Sequence, residues 1–341
     1  MAKKVKLAFL SFAHMHGYGY ASQLRALPKG TVEFAGIWDR DFARAKKMAK
    51  LLGTKAFAKR EQLLAQKPDG AIVCSENVHH AEDAVAALEA GAGVLCEKPL
   101  APTVADCRAM IAASKRTGRP LMTAFPCRFL GAVLALKARV DSGDLGRILG
   151  VCATNHGRQP GGWFADPKFS GGGAVMDHTV HVVDLLRWLL KREFVRVHAA
   201  VGYNRFRLTT QAVGKRRVDD AGILSLELDG GTVATLDCSW SRPAEYPTWG
   251  DVKIELVGTH GVAKLDAFRQ RVLVASKATG KQVERCFGDE ASGGLGGAFV
   301  QALAANAPVP VSGDDGLAAT AVVEAAYASA QSGLPERISA L

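Results

Sequence analysis

The sequence predicts an α/β protein in two parts: an N-terminal doubly wound parallel sheet, then an α+β domain built on a large, open, mostly antiparallel sheet. Three observations predict it. The 341 residues exceed what one compact core organises and suit two domains. In the first third, short apolar runs alternate with amphipathic stretches, the pattern of a parallel sheet covered on both faces. Beyond it, longer strands of alternating polarity are separated by turn signals, the pattern of antiparallel pairing.

The elements follow in order. Apolar runs at 5–10, 32–38, 70–74 and 92–96 read as buried strands. Amphipathic stretches at 18–27, 41–52, 61–66, 79–90 and 103–117 read as the helices that accompany them. Gly118 and Pro120 stop the last helix before another strand, which places the first domain at residues 1–122 and the second at 123–341. In the second, strands are expected at 147–155, 194–201, 221–228, 232–240, 252–257 and 262–266. "LDGGT" (228–232) and "GTHG" (258–261) supply turns, and helices are expected near 174–190 and 315–332.

Composition narrows the function. With 48% hydrophobic and 22% charged residues the chain reads as an ordinary soluble globular protein. No apolar run approaches the roughly 20 residues that span a bilayer, and the N-terminus lacks a cleavable leader, so a cytoplasmic protein without a membrane partner is expected. The net charge of +10 raises nucleic acid as a partner. The densest basic run, at 214–217, is short and followed at once by Asp219 and Asp220, so an anionic small molecule is the expected use of the charge. Seven scattered cysteines without a C-x-x-C pair imply neither a disulfide framework nor a zinc ribbon.

Residues 4–24, "KVKLAFLSFAHMHGYGYASQL", run from a strand into a turn and a helix, where a dinucleotide fold calls for G-x-G-x-x-G. Ser11, Ala13 and His16 stand near those glycine places. Alanine is the least obstructive substitute where backbone must approach a pyrophosphate, and the helix amino terminus still offers N–H groups. Ser11 must make the turn without a positive φ or tolerate one. Ser11, Ala13, His14 and Met15 are therefore candidate cofactor contacts. Asp39, ending the second strand, suits the adenosine ribose hydroxyls and favours NAD; Arg40 beside it leaves NADP possible. Asp39 also suits a turn or the N-cap of 41–52.

Residues 70–100, "GAIVCSENVHHAEDAVAALEAGAGVLCEKPL", carry more. With "PLMTAFPCRF" (120–129), "GDLGRI" (143–148), "SGGGAVMDHTVHVVDLLRWLL" (170–190), "VDDAGILSLELDGGTVATLDCSWSRP" (218–243) and "LVGTHG" (256–261), the chain resembles the Gfo/Idh/MocA family of NAD(P)-dependent oxidoreductases. "CEKPL" matches its E-K-P motif and "SENVHH" its T-P-N-x-x-H turn. The sequence departs from the pattern at Glu76, where proline is usual; at Cys127, which replaces an arginine and leaves Arg128; and at His178, where an apolar or small residue is usual.

The resemblance implies hydride transfer between a nicotinamide and a secondary alcohol or ketone of a sugar or polyol. Ser75, Asn77, His80, Glu97 and Lys98 join the cofactor contacts. Such chemistry needs a base for the hydroxyl proton and a cation for the developing oxyanion. Lys98, after a buried strand, is assigned to the cation. Asp177 and His181, four apart, share a helix face; His181 is assigned as proton acceptor and Asp177 as the group that orients it. The glycines at 171–173 are expected to bring backbone close to a ligand. Substrate contacts are expected from Arg128, His156, Arg158, Trp163 and His178, although Trp163 also suits a core.

Six of the nine histidines (His14, His16, His79, His80, His178 and His181) fall in cleft segments, but their spacing matches no helical metal motif, so no metal is expected. A homodimer or homotetramer formed through the open sheet face is implied by the resemblance. Two alternatives stay open: a glycoside-cleaving or eliminating enzyme that retains its NAD, and a non-catalytic nucleotide-sensing regulator.

Overall fold

A computed structural model describes residues 4–203, 218–286 and 294–338. The basic run at 214–217 lies outside them. By their contacts the residues form two units, Met1–Phe125 with Ser292–Leu317 and Pro126–Ala291 with Ala318–Leu341.

The first unit begins with β1 (Val5–Leu10), α1 (His16–Ala26), β2 (Val32–Trp38), α2 (Phe42–Leu52), β3 (Ala56–Phe57), α3 (Arg60–Leu64) and β4 (Gly70–Val73). It continues with α4 (His80–Glu89), β5 (Gly93–Cys96), α5 (Val104–Thr117) and β6 (Leu121–Thr123). All strand pairs are parallel, in the order β3-β2-β1-β4-β5-β6. β1 and β4 are adjacent, so the order reverses between them and a crevice opens beyond their carboxyl ends. The strands are buried on both faces because helices cover both. Leu10, Val73, Val94 and Cys96 share a core with Ala84, Leu88, Cys107 and Met110 of α4 and α5. Asp41 caps α2 through the amides of Ala43 and Arg44, and Gly53 ends it in the left-handed region. That gives the N-cap role to Asp41 and leaves Asp39 for other work.

The second unit contains α6 (Gly131–Asp141), β7 (Ile148–His156), α7 (Pro167–Ser170), α8 (Ala174–Leu190), β8 (Phe194–Gly202), β9 (Ala221–Leu228) and β10 (Val233–Ser239). There follow β11 (Lys253–Gly258), β12 (Gly261–Asp266), β13 (Arg271–Ser276) and β14 (Lys281–Cys286). α9 (Gly294–Ala305) belongs to the first unit, although the sequence reading put all of 123–341 in the second domain. α10 (Gly313–Ser332) and β15 (Glu336–Arg337) complete the described chain. The sheet has the order β14-β13-β12-β11-β7-β10-β9-β8-β15, with β7 and β10 parallel and every other pair antiparallel.

α8 packs across β7, β9 and β10. Alternation sends Leu224, Leu226, Leu236, Ile254 and Leu256 into this core. It leaves Ile223, Val233 and Val257 on the other face at 53%, 58% and 40% exposure, so that face is open within one copy of the chain.

Candidate active site

The turn after β1 works without its glycines because side chains replace them. Ser11 sits at φ +73°, a left-handed conformation that costs a non-glycine residue about 1–2 kcal/mol. Its hydroxyl offsets that cost: Oγ donates to Asp39 Oδ2 at 3.0 Å and accepts from the Ala13 amide at 3.0 Å. The Phe12 amide adds a third tie, to Asp39 Oδ2 at 2.8 Å. Asp39, buried, therefore organises the turn as well as closing β2. Met15 at the N-cap makes no side-chain bond and no acid occupies the first turn of α1, so apart from the first amide, which His14 Nδ1 takes, its amino terminus is suited to a phosphate.

The arginine on Asp39 is Arg44, not the adjacent Arg40. Arg44 Nε and Nη2 donate to the two carboxylate oxygens at 2.7 Å each. Arg40 instead bonds Asp83 at 2.7 and 3.1 Å and Glu82 at 3.0 Å, with its guanidinium over Trp38. Sequence reading missed Arg44. The available signal was its place one turn into α2, which starts beside the acid. Glu76, the residue in place of proline, lies 3.9 Å from Arg44 Nη2, and its buried Oε2 has no hydrogen-bond partner.

At the end of β5, Glu97 and Lys98 are 1% and 4% exposed, and the Lys98–Pro99 peptide bond is cis. Burial alone would push the Glu97 carboxyl up, but His14, His16 and Lys98 hold it well below the usual carboxylate range. It accepts from His16 Nδ1 at 3.0 Å, from the Lys98 amide at 3.0 Å and from the Tyr20 hydroxyl in a short bond, with His14 Nε2 at 3.8 Å. His80 is fully buried and its two ring nitrogens face the carbonyls of Pro99 and Ser75 at 2.9 and 3.1 Å. It thus ties the turn of Ser75 and Asn77 to the Lys98–Pro99 segment, and burial lowers its pKa. A buried lysine beside a saturated carboxylate stands at the carboxyl edge of the sheet.

His14, His16 and Glu97 are also a cluster with metal-ligand atoms within 4.8 Å of one another. The chemistry of the donors argues for hydrogen bonding. His14 Nδ1 accepts the His16 amide at 3.1 Å, so in the neutral ring the proton is on Nε2, the atom that faces Glu97. A metal there would need that proton gone or that bond broken.

In the second unit the glycine run has a different cause from the one expected. Gly171 takes φ +76°, while a Cβ on Gly172 or Gly173 would collide with the Tyr327 hydroxyl or the Asp219 backbone carbonyl. The close approach is to the chain itself. Asp219 Oδ1 accepts the Gly173 amide at 2.9 Å and the Tyr327 hydroxyl at 2.7 Å, and Oδ2 accepts the Val175 amide at 2.7 Å. This carboxylate anchors the start of α8 from 44 residues away in sequence. Nothing local in the sequence marks it.

α8 then presents Asp177 and, one turn on, His181. Asp177, 7% exposed, accepts from Trp240 Nε1 at 3.1 Å on Oδ2, and His178 Nε2 lies 3.3 Å from the same oxygen. His178 Nδ1 lies 2.9 Å from the Asn155 carbonyl, while Asn155 Nδ2 donates to the His178 carbonyl at 2.9 Å. Asn155 and Trp240 were not singled out from sequence.

The expected substrate contacts divide. Arg128 is locked to Asp184, Nε to Oδ2 at 2.8 Å and Nη2 to Oδ1 at 2.5 Å, over the Trp188 ring, which is a structural pairing. His156 faces away from α8, among Asp237 at 3.1 Å, Asp251 at 3.4 Å and Arg242 at 2.9 Å. Burial pulls its pKa down, but the two aspartates outweigh that and raise it. Arg158 donates to the Tyr246 carbonyl. Trp163 stacks on Phe164 at 3.8 Å and packs against a small core that includes Ala174 and Trp240.

Fold and site together define a dinucleotide-dependent oxidoreductase, with a doubly wound nucleotide-binding unit, a buried lysine at its crevice and an acid–histidine helix in the second unit. The chain belongs to the Gfo/Idh/MocA family. Residues 12–125 match the oxidoreductase family model with an NAD-binding Rossmann fold, and residues 133–264 match the family's C-terminal domain. The chain is 34% identical over 275 residues to inositol 2-dehydrogenase 1 of Saccharopolyspora erythraea, covering 79% of this chain and 77% of that protein. Among solved structures, an oxidoreductase domain protein from Kribbella flavida shares the fold at TM-score 0.89 and 22% identity, each chain fully covered. Levoglucosan dehydrogenase, solved with NADH and levoglucosan, superposes at TM-score 0.87 and 22% identity, over 99% of this chain and 100% of that one.

Proposed function

We propose that the protein is an NAD-dependent dehydrogenase that oxidises a secondary alcohol of a polyol or sugar, with Lys98, Asp177 and His181 as its catalytic residues. The observation that carries this reading is Lys98: a lysine 4% exposed, at the carboxyl end of β5, beside a carboxylate already saturated by other donors. A lysine ammonium held in such a place is suited to steady a developing oxyanion. The names of the relatives, which act on inositol or levoglucosan, support a polyol or sugar as substrate.

The nicotinamide, when bound, supplies the hydride acceptor. The Ser11 turn and the α1 amino terminus would hold the pyrophosphate, and Asp39 the adenosine ribose. The Lys98 ammonium lowers the pKa of the substrate hydroxyl and stabilises the alkoxide as it forms. His181 takes the hydroxyl proton, and Asp177 fixes the polar surroundings of that transfer. Asp39, Asp41 and Glu76 outnumber Arg44 at the ribose side, which supports NAD over NADP.

The open sheet face suits a second copy of the chain. Ile223, Val233 and Val257 are exposed on it, and Ile223 also lines a concavity of about 600 Å³ with Thr235, Lys253 and Leu273. Val233→Glu is expected to shift the mass measured by light scattering from an oligomer to a monomer. The functional reading itself is tested by a nicotinamide fluorescence titration with NADH and NADPH, followed by a polyol and sugar screen for NADH release. Tight NADH binding with stoichiometric NADH release supports a freely exchanging dehydrogenase; binding of neither cofactor removes the reading.

A further inference from the structure

Glu76, which stands where the family pattern has proline, keeps a backbone that proline could adopt. Its φ is −65° and its ψ 148°. The segment is pinned on both sides: His80 Nε2 faces the Ser75 carbonyl at 3.1 Å, and the Glu76 carbonyl accepts the His79 amide at 2.9 Å. The turn itself therefore does not call for a carboxylate, and the reason for one lies in what its side chain meets.

It meets too little within the chain. Glu76 Oε2 is buried and has no hydrogen-bond partner among the described residues. Its Oε1 lies 3.9 Å from Arg44 Nη2, an ion-pair distance too long for a hydrogen bond. The neighbouring Ser75 is fully buried, and its hydroxyl likewise has no partner among the described residues. Buried polar groups are nearly always paired, because an unmade bond costs the full desolvation of the group. Two such oxygens on successive residues, in the turn beyond β4 at the switch point of the sheet, mark a place where a ligand bonds.

Asp39 is in the opposite condition. Its Oδ2 accepts from Ser11 Oγ at 3.0 Å, the Phe12 amide at 2.8 Å and Arg44 Nε at 2.7 Å. Its Oδ1 accepts from the Asp41 amide at 2.9 Å and Arg44 Nη2 at 2.7 Å. An ionised carboxylate offers about four lone-pair sites, so these donors saturate it. Arg44 joins the two acids: it is locked on Asp39, and the same Nη2 lies within ion-pair distance of Glu76.

We propose that Glu76 sets cofactor specificity: its Oε2 accepts the adenosine 2′-hydroxyl of NAD, while Asp39 shapes the ribose side through Arg44 and the Ser11 turn. The assignment rests on the dinucleotide reading above and refines it. A 2′-hydroxyl has a hydrogen to give and meets an acceptor that lacks a donor. A 2′-phosphate brings only acceptor oxygens and negative charge, and meets a carboxylate whose neighbouring guanidinium is already committed to Asp39.

The test is a fluorescence titration of the full chain as wild type, Glu76→Gln and Glu76→Pro. The ligands are NADH, NADPH and the NADH analogue that lacks the adenosine 2′-hydroxyl. In the wild type the analogue is expected to bind about tenfold more weakly than NADH, the loss of one bond to a charged acceptor. In Glu76→Pro, whose backbone fits the turn, NADH and the analogue are expected to bind alike. Glu76→Gln removes the charge and keeps an acceptor oxygen, so it is expected to retain part of the NADH preference and to bind NADPH about tenfold more tightly than the wild type does. It alters no backbone preference and carries the test alone if Glu76→Pro does not fold.

Wild type that binds NADH and the analogue equally overturns the assignment. So does a preference for NADH over the analogue, and over NADPH, that Glu76→Gln leaves unchanged. Both outcomes leave the dinucleotide reading standing, because NADH still binds. Wild type that binds neither NADH nor NADPH removes that reading, and the role of Glu76 with it.

Discussion

Asn155 and His156 are neighbours on β7 and face opposite sides of the sheet. Asn155 turns inward and bonds the backbone of His178, while His156 turns to the open face and joins Asp237 and Asp251. A strand's period of two makes this unavoidable. Asn155→Ala is therefore expected to lower stability by about 0.5–1.5 kcal/mol, because it removes a buried hydrogen bond to a carbonyl that helix α8 already engages, and to lower kcat as α8 loosens. His156→Ala is expected to leave kcat within about twofold. Urea unfolding and initial rates on both variants check this; a larger kcat loss in His156→Ala would place the substrate on the other face.

His156 predicts a pH dependence of its own. Its folded pKa is raised by Asp251 and Asp237, so the network stabilises the fold fully below the unfolded pKa of about 6.5. That contribution is lost as pH rises through the raised folded value. Glu97 runs the other way. Its folded pKa is depressed, so its contribution is present above the unfolded value of about 4.3 and is lost as pH falls through the folded one. Urea midpoints across pH should fall on the acid side in the wild type and flatten there in Glu97→Gln. An unchanged acid limb in that variant would mean other carboxylates set it.

Ser11 is expected to show its strain in a comparison of two substitutions. Ser11→Ala keeps the Cβ at φ +73° and loses both hydroxyl bonds. Ser11→Gly loses the same bonds and relieves the strain. Ser11→Gly should therefore be more stable than Ser11→Ala by about 1 kcal/mol. Equal unfolding midpoints would contradict the left-handed turn.

Much of this was legible in sequence, and the misses share physical causes. The strands and helices of the first unit announce themselves because parallel strands buried on both faces are apolar throughout. α8 was legible to its ends. α9 was not singled out, since Gly294, Gly296 and Gly297 are poor helix formers, whereas Gly296 and Gly297 are buried in it. β14 was missed because a short, charged edge strand carries little apolar signal; β13, apolar at Val272, Leu273 and Val274 and paired on both sides, was not singled out. At the site, Lys98, Asp177 and Asp39 could be picked out by position. Arg44 on Asp39, Asp219 under α8 and Trp240 on Asp177 are tertiary partners, and only the folded chain brings them together.

Cofactor choice is open to direct alteration at Asp39. Arg44 is already neutralised by this carboxylate, so Asp39→Ala should free a guanidinium for the 2′-phosphate of NADPH. The NADPH-to-NADH ratio of dissociation constants is expected to fall about tenfold or more, equivalent to about 1.4 kcal/mol. Arg44→Ala should move the ratio the opposite way. Fluorescence titration reads both, and a ratio unmoved by Asp39→Ala would put the adenosine ribose elsewhere.

The most direct test of the central claim compares wild type with Lys98→Met for NADH formation from NAD and a panel of polyols, with NADH binding measured in parallel. The account predicts that the wild type releases NADH and that Lys98→Met loses about a hundredfold or more of kcat while still binding NADH. Full turnover by Lys98→Met, with its binding intact, would contradict it.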